Sequence, residues 1–104
     1  MLNSIAIVGT ILDGPSIKET PLGNKLCSIN IEVKRNFPSS DGTYESDIVP
    51  VTLWRGMAQE AIDNCKAGDY VIIKGRLQSY DAKSKTGVEY HNLNVVAEQI
   101  SYFN

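Results

Sequence analysis

Basic and aromatic side chains occur together where the predicted strands end and on the strand faces that carry polar residues. The cations in these places are Lys34, Arg35, Arg55, Lys74 and Arg76, and the aromatic residues are Phe37, Tyr44, Trp54 and Tyr80. Cations of this kind neutralise phosphates, and flat rings stack on unpaired bases, with each stacked base worth about 1–3 kcal/mol. The combination predicts a surface that binds a single-stranded nucleic acid.

The alternation of apolar and polar residues places these side chains away from the predicted core. In the segment 69–80, the inward set is Val71, Ile73 and Leu77, and the outward set is Lys74, Arg76, Gln78 and Tyr80. In the segment 44–54, the inward set is Val49, Val51 and Leu53, and the outward set is Ile48, Thr52 and Trp54. A large tryptophan on a polar face beside basic residues favours a binding surface over a solvated face with stray aromatic residues.

Five strands and one short helix are needed to position these residues. The same alternation, interrupted at turns, predicts strands over residues 3–12, 27–34, 44–54, 69–80 and 88–101 and a helix over 57–66. With the helix between the third and fourth strands, this is the order of the five-stranded Greek-key barrel called the oligonucleotide-binding (OB) fold. The pattern predicts a single all-β domain over residues 1–104 with one short helix, and another small β-barrel would fit it too.

Local features refine the course of the chain within this barrel. Pro50 cannot donate a hydrogen bond to a ladder, which predicts an edge or a bulge in the third strand. Residues 37–43 are rich in proline, serine and glycine, which is typical of an exposed, mobile hairpin loop. Gly68 lies just past the helix, where glycine often takes a left-handed conformation. The core face of the last strand is predicted to carry Leu93, Val95 and Ala97.

The first predicted strand is apolar on both faces. One face carries Ile5, Ile7 and Ile11, and the other carries Val8 and Leu12. The barrel core covers only one of these faces, and an apolar surface left open would promote aggregation. The strand is therefore predicted to meet a second copy of itself across a two-fold axis. The candidate oligomer interface is Ile5, Ile7, Val8 and Ile11.

Composition and charge exclude several other classes of protein. No window approaches the roughly 20 consecutive apolar residues of a membrane span, and no secretory signal pattern precedes Thr10. Cys27 and Cys65 form neither a disulfide framework nor a zinc pattern, which predicts free buried thiols in a reducing cytoplasm. Because the net charge is −2, cations that bind a polyanion must be concentrated locally.

Residue patterns of an enzyme or of a cofactor site are absent from the sequence. It contains no nucleophile elbow, no phosphate-binding glycine loop and no cluster of metal ligands. Asp41, Glu45 and Asp47 lie beside a loop and are interpreted as solvating groups rather than as an acid–base pair. His91 has no Cys or carboxylate at a ligand spacing and is interpreted as a strand residue. The sequence predicts a binding protein without catalytic residues, metal or cofactor.

Seven segments of the sequence follow one another in the order found in a known family. The matching strings are Met1-Leu2-Asn3 with Val8-Gly9, Thr20-Pro21-Leu22-Gly23, Val51-Thr52-Leu53-Trp54, Ala58-Gln59-Glu60-Ala61, Lys66-Ala67-Gly68-Asp69, Gly75-Arg76-Leu77-Gln78, and Gly87 with Val95-Val96-Ala97-Glu98. With these strings the whole chain resembles the bacterial and phage single-stranded-DNA-binding (SSB) proteins. The resemblance implies an OB fold that binds single-stranded DNA with little sequence preference, in replication, recombination, repair or DNA uptake.

The resemblance also implies which positions contact the bases and how the chain assembles. The family's stacking aromatic residues match Phe37, Ile48, Trp54 and Ala82, and two of these four are not aromatic here. Tyr80 and Tyr44 are candidates to substitute for them. Family members form homotetramers in which the first strands pair, so a tetramer is expected, with a dimer as the alternative.

Two other functions are compatible with this sequence. A primosomal accessory protein of the same fold is one rival, and a protein-interaction subunit with weak or no DNA binding is the other. The non-aromatic Ile48 and Ala82 favour the second rival.

Typical SSB proteins continue into a flexible linker with an acidic tip that recruits other proteins. Because this chain ends at Asn104, tail-mediated protein partners are not expected.

Overall fold

The computed structural model describes residues 1–103, without the side chains of Ala82, Lys83 and Tyr90, and within that part the chain forms six strands and one helix. The strands are β1 (Ile5–Ile11), β2 (Ile17–Glu19), β3 (Lys25–Lys34), β4 (Ser46–Trp54), β5 (Tyr70–Lys83) and β6 (Glu89–Phe103), and the helix is α1 (Gly56–Asn64). The sequence did not predict β2, because three residues are too few to show an alternation. β2 pairs with the start of β3 as a short hairpin.

Five of the strands close into a barrel. Their order around the barrel is β1–β5–β6–β4–β3, and β1 pairs again with β3 through Thr10 opposite Glu32 and Ile11 opposite Ile31. The ladders are antiparallel except that between β4 and β6, which is parallel and two residue pairs long. The predicted OB barrel, with its helix after the third barrel strand, is confirmed.

The inward-facing side chains form one apolar core. Its fully buried large members are Ile11, Ile29, Ile31, Val51, Leu53, Val71, Ile73 and Val95. The helix α1 contacts β2, β3 and β4, and its buried face carries Ala58 and Ala61 of the predicted stripe. Cys27 and Cys65 are free and buried in this core. Burial raises the pKa of the Cys65 thiol to about 11 and also raises the pKa of Cys27, so both thiols stay protonated at neutral pH.

Beyond the barrel, β5 and β6 continue as a two-stranded arm that ends at Lys83 opposite Glu89. Leu77 and Leu93 were predicted to line the core, but they lie on this arm and are 41% and 62% exposed. Their predicted burial was wrong because they lie at and beyond the end of the barrel, where β1 begins opposite Gly75 and the β4–β6 ladder begins at Val95. The inner side of the arm there faces a shallow cleft, and Ile48, Val49 and Pro50 of β4 form its other wall.

Two further local predictions can be compared with the structure. β4 pairs with β6 only from Val51 onward, so the strand has the expected edge on that side at Pro50. Gly68 has a φ of +94°, the left-handed conformation expected for it. However, the helix already ends at Asn64, and Gly68 lies in a later turn in which the Asp69 N–H donates to the Lys66 carbonyl.

We expect Gly75→Ala to destabilise the protein by about 1–3 kcal/mol, because a backbone this closely packed must move to admit a methyl group. Gly75 lies at the register shift between β5 and β6, where an added Cβ would overlap the Val96 carbonyl. Gly14→Ala is the matched control, since nothing lies within 4 Å of a Cβ there. Urea denaturation of both variants measures the difference, and a Gly75→Ala protein as stable as the wild type would contradict the expectation.

Candidate nucleic-acid interface

Trp54 lies at the end of β4 on the outer face of the barrel, as predicted. Its side chain is 39% exposed, whereas the preceding residue, Leu53, is fully buried in the core. On the neighbouring strand β3 it lies opposite Leu26. A ring that is fixed on a strand and partly open to solvent offers a flat surface on which a base can stack.

A cross-strand row joins the outer face of β4 to the basic residues of β5. Thr52 pairs with Val96 of β6, and Val96 pairs with Arg76 of β5, so these three side chains share one face. Because β6 separates β4 from β5, Trp54 and Lys74 are not on adjacent strands. At about 4.8 Å between strands, the row spans about 10 Å. The outer face therefore places the aromatic and basic residues on one surface, two strands apart.

The outer face of β5 also carries Gln78 and Tyr80, and Tyr80 is 53% exposed at the start of the arm. Arg76 donates from Nη2 to Oε1 of Gln78 at 3.1 Å, and its Nη1 lies 3.7 Å from the carboxylate of Glu98. An exposed ion pair of this kind is worth roughly 0–1 kcal/mol and is weakened by salt. Arg76 can therefore exchange this contact for a phosphate.

Among the other predicted cations, Lys34, Arg55 and Lys74 are exposed, and none of them has an ion pair within the described part of the chain. Lys34 and Lys74 lie on the outer faces of β3 and β5. Arg55 has a φ of +54° and turns the chain from β4 into α1. These three side chains are free to meet phosphates.

Arg35 differs from the other cations because two carboxylates hold it. Its Nη1 lies 2.9 Å from Oε2 of Glu45, and its Nη2 lies 2.8 Å from Oδ1 of Asp47. These contacts raise the pKa of Arg35, chiefly through the hydrogen bonds that it donates to Asp47, and they lower the pKa of Asp47. Glu45 and Asp47 are therefore partners of Arg35 and not only the solvating groups that the sequence predicts.

The β3–β4 hairpin (residues 35–47) is exposed, as predicted, and its tip is held by hydrogen bonds. Ser39 N–H donates to the Thr43 carbonyl at 2.7 Å. The Asp41 carboxylate accepts from the Ser39 hydroxyl at 2.6 Å and from the Thr43 hydroxyl and N–H at 2.7 and 3.0 Å. Phe37 and Tyr44 flank this tip, with 66% and 57% of their side chains exposed. The hairpin therefore presents two open rings from an ordered frame.

On the outer face around β1, four apolar side chains lie beside one another, with Glu32 and Lys34 at their edge. Val8 pairs with Ile72, while Tyr70 pairs with Phe103 one step further along β5. We refer to Val8, Tyr70, Ile72 and Phe103 as the β1 patch. Val8, Tyr70 and Phe103 are each more than half exposed. The sequence does not predict the last three members, because the strands that carry them are far from β1 in the sequence.

The four residues predicted for the oligomer interface do not share one surface. Ile11 is buried in the core, and Ile5 and Ile7 pack against that core. Of the four, only Val8 lies on the β1 patch. The alternation in β1 was recognised correctly, but the set assigned to the partner is mostly the set that faces inward.

Ile48 occupies one of the positions where the resemblance implies a stacking ring. Its side chain is 53% exposed and lines a shallow apolar cleft with Leu77 and Leu93 of the arm. The side chain at the other non-aromatic position, Ala82, lies outside what the structure describes. Tyr80, two residues before that position in the sequence, lies on the outer face of β5 with Arg76 and Gln78.

Within residues 1–103, no three or more His, Cys, Asp or Glu side chains come close enough to hold a metal ion. The one helix in that part of the chain is too short and too polar to cross a membrane. On the exposed arm, Nδ1 of His91 lies 2.7 Å from the carboxylate of Asp81.

An OB barrel with open aromatic rings and free cations on its outer surface belongs to the class of small nucleic-acid-binding barrels. The model of the single-strand binding protein family matches residues 2–103. Single-stranded DNA-binding protein 1 of Clostridium acetobutylicum is 31% identical over 102 residues, which cover 97% of this chain and 93% of that protein. The chain belongs to the single-strand binding protein family.

Two other relatives show how the chain relates in length to the family. Single-stranded DNA-binding protein B of Bacillus subtilis is 28% identical over 104 residues, which cover all of this chain and 92% of that protein. The single-stranded DNA-binding protein of Oceanobacillus iheyensis is 29% identical over 102 residues, which cover 98% of this chain and 63% of that protein. The similarity therefore spans nearly the whole of some relatives and less than two thirds of another.

Asp41 stabilises the tip of the β3–β4 hairpin while it is ionised. Hydrogen bonds from Ser39 and Thr43 lower its pKa to about 2, whereas an unfolded aspartate titrates near 3.9. The contribution is therefore complete above about pH 4 to 5 and is lost as the pH falls toward 2.

We expect Asp41→Asn to lower the free energy of unfolding at neutral pH, because it removes the charge that these donors stabilise. The difference from the wild type should narrow as the pH is lowered from about 5 to about 3. Urea denaturation of both proteins at several pH values in this range measures it. A difference that stays constant with pH would show that the charge of Asp41 does not stabilise the folded state.

Proposed function

We propose that this chain is a single OB domain that binds single-stranded DNA without sequence preference and without catalysis. In this proposal it protects exposed strands during replication, recombination, repair or uptake of DNA. The observation that carries the proposal is the outer face shared by Trp54, 39% exposed, and the basic side chain of Arg76. The names of the relatives in B. subtilis and C. acetobutylicum support the same ligand.

Exposed rings favour a single strand over a duplex. In a duplex the faces of the bases are stacked on one another, and only their edges can be reached through the grooves. Trp54, Tyr80, Phe37 and Tyr44 are all open to solvent, and such rings can stack on any base that is not already stacked. Since every base has a flat face, this mode of binding supports little preference for sequence.

The net charge of −2 does not oppose this proposal. Affinity for a phosphate backbone depends on cations close to the strand, whereas more distant carboxylates are screened at physiological salt. Lys74 and Arg76 lie on the outer face of β5, where a bound strand would pass, and Lys34 lies on the outer face of β3 at the edge of the β1 patch. Binding should therefore weaken as the salt concentration rises.

A protein-interaction function with weak or no DNA binding is the second candidate. The cleft lined by Ile48, Leu77 and Leu93 favours it, because exposed aliphatic side chains suit a protein partner better than a base. The two candidates make opposite predictions for binding to poly-dT, so one titration separates them.

We also propose that a second copy of the chain covers the β1 patch. Tyr70 and Phe103 lie side by side across β5 and β6, and Val8 and Ile72 lie in the next row. A two-fold axis brings the same surface of two copies together, so that each copy covers the apolar patch of the other. A tetramer is proposed, with a dimer as the alternative. The two free, buried thiols are consistent with a cytoplasmic location.

Poly-dT should strongly quench the fluorescence of Trp54, which is the single tryptophan of the chain. We expect Trp54→Ala to weaken binding by about 1–3 kcal/mol, because it removes one stacking platform. It should also lower thermal stability without unfolding the protein, because Trp54 is only 39% exposed and the rest of its surface packs on the barrel. Trp54→Phe is the matched control, since it keeps a ring and should recover much of the affinity.

Because both variants lack tryptophan, their affinity is measured by the anisotropy of a labelled oligonucleotide. Strong, salt-dependent binding supports the proposed function. If the wild type ignores poly-dT, the protein-interaction function is favoured. If Trp54→Ala unfolds the protein and the emission of the wild type does not respond to DNA, Trp54 is a structural residue.

In solution at micromolar concentration, we expect a mass of about 46 kDa, four times the 11.4 kDa of the chain. Val8→Asp should shift the mass to a smaller species, because it puts a charge into the proposed contact. Leu22→Asp is the control, since Leu22 is 90% exposed in the turn between β2 and β3, away from the β1 patch. Light scattering measures all three proteins, and a stable monomer of the wild type would overturn the proposed assembly.

A further inference from the structure

Arg35 and Lys34 are neighbours in the sequence but have different surroundings. Lys34 pairs with Ser46 as the last residue of β3, and its side chain is exposed without an ion pair among the described residues. The guanidinium of Arg35 is hydrogen-bonded to Glu45 and Asp47 on the surface, with its Nε 3.2 and 3.3 Å from the two carboxylate oxygens of Asp47. A function assigned to one of these cations therefore does not transfer to the other.

The carboxylates compete with a phosphate for Arg35. Asp47 accepts hydrogen bonds from both Nε and Nη2, which is the two-point geometry in which arginine binds anions most strongly. Glu45 accepts a third hydrogen bond, from Nη1. Two negative groups around one positive group leave this cluster with a net charge of −1. An approaching phosphate would meet this net negative charge and would have to replace a contact that already exists.

The same contacts join the two strands where the hairpin leaves the barrel. Arg35 follows the last ladder pair of β3 and β4, and its backbone N–H donates to the Glu45 carbonyl at 2.9 Å. The side-chain contacts therefore add to the backbone pairing at the base of the hairpin. Phe37 and Tyr44 lie just beyond this base, between Arg35 and the hydrogen-bonded tip at Asp41.

From this geometry we propose that Arg35 is a positioning residue, which holds the base of the β3–β4 hairpin so that Phe37 and Tyr44 are presented to the bases, and that Glu45 and Asp47 keep it from neutralising a phosphate. The inference rests on the proposed function, since it assigns roles within the same DNA-binding surface. It replaces the role of phosphate ligand that the sequence predicted for Arg35. Ordering the hairpin before binding lowers the entropy that is lost when the rings meet the strand.

The first test compares Lys34→Gln with Arg35→Gln, two neighbouring substitutions that each remove one positive charge. The affinity for poly-dT is measured at several salt concentrations. Lys34→Gln should make the plot of log affinity against log salt shallower by about 0.7, the value for one phosphate contact on a single strand. Arg35→Gln should leave that slope unchanged and weaken binding roughly three- to tenfold at every salt concentration, because the rings are no longer held in place.

Arg35→Lys separates positioning from charge. Lysine keeps the positive charge but cannot make the two-point contact with Asp47. It should therefore weaken binding almost as much as glutamine does, again with an unchanged slope. If Arg35→Lys binds like the wild type while Arg35→Gln has a shallower slope, Arg35 is a phosphate ligand and the inference is wrong.

The second test releases Arg35 from its carboxylates. In the double variant Glu45→Gln with Asp47→Asn, the free guanidinium should contact DNA, so that adding Arg35→Gln now makes the slope shallower by about 0.7. Equal effects of Arg35→Gln in both backgrounds would overturn the role assigned to Glu45 and Asp47.

Hydrogen exchange of the Arg35 amide, which donates to Glu45, reports on the hairpin without DNA. Faster exchange in Arg35→Gln supports the positioning role, and unchanged exchange contradicts it. If the wild type does not bind poly-dT but exchange is faster in Arg35→Gln, the proposed function fails while the structural role of Arg35 remains. If the wild type binds poly-dT and Arg35→Gln makes the salt slope shallower, the proposed function stands and the positioning role of Arg35 is wrong.

Discussion

Closure of the barrel by β1 is the constraint on which the rest of the structure depends. β1 pairs with β5 over six residue pairs and with β3 over two, so its backbone is packed between two ladders. At Gly9 an added Cβ would overlap the Glu32 carbonyl and press on the side chain of Ile31, which leaves room only for glycine. Once this contact is made, each barrel strand has an inner face and an outer face, and the apolar residues have a core to line.

The closed barrel also separates two kinds of outer surface. Where β1, the start of β5 and the end of β6 lie side by side, the outer face carries the exposed apolar side chains Val8, Tyr70 and Phe103. Where β4, the middle of β6 and the second half of β5 lie side by side, it carries Trp54 and Arg76. An apolar surface suits a protein contact, and an aromatic and cationic surface suits a nucleic acid. A single OB barrel can therefore offer both surfaces.

In this acidic protein, the cations differ in how firmly neighbouring carboxylates hold them. Lys34 and Lys74 stand free on the outer faces, Arg76 makes a loose contact with Glu98, and Arg35 is held by two carboxylates. The strength with which a cation is paired decides whether it can meet a phosphate or serves the protein's own architecture. At the β3–β4 hairpin, carboxylates order the backbone at both base and tip, and the two rings between them contribute flat surface rather than charge.

The sequence by itself determined the faces of the strands. Alternate residues of a strand point to opposite sides, so the outward positions of Trp54, Lys74 and Arg76 follow from their spacing relative to the core residues. The helix, the OB order of elements and the two free thiols follow from equally local patterns. What lies alongside a face is not a local property, and only the tertiary structure decided it.

Leu77 and Leu93 have the alternation of core residues but are exposed, because they lie at and beyond the end of the barrel, where β1 begins opposite Gly75 and the β4–β6 ladder begins at Val95. Arg35 finds its partners 10 and 12 residues away, because the register of β3 with β4 brings them across the hairpin. The two apolar sets of β1 look equivalent in the sequence, and barrel closure alone turns Ile11 inward and Val8 outward. In each case the deciding contact joins residues that are distant in the chain. The spacing of apolar and polar residues within one strand therefore cannot predict it.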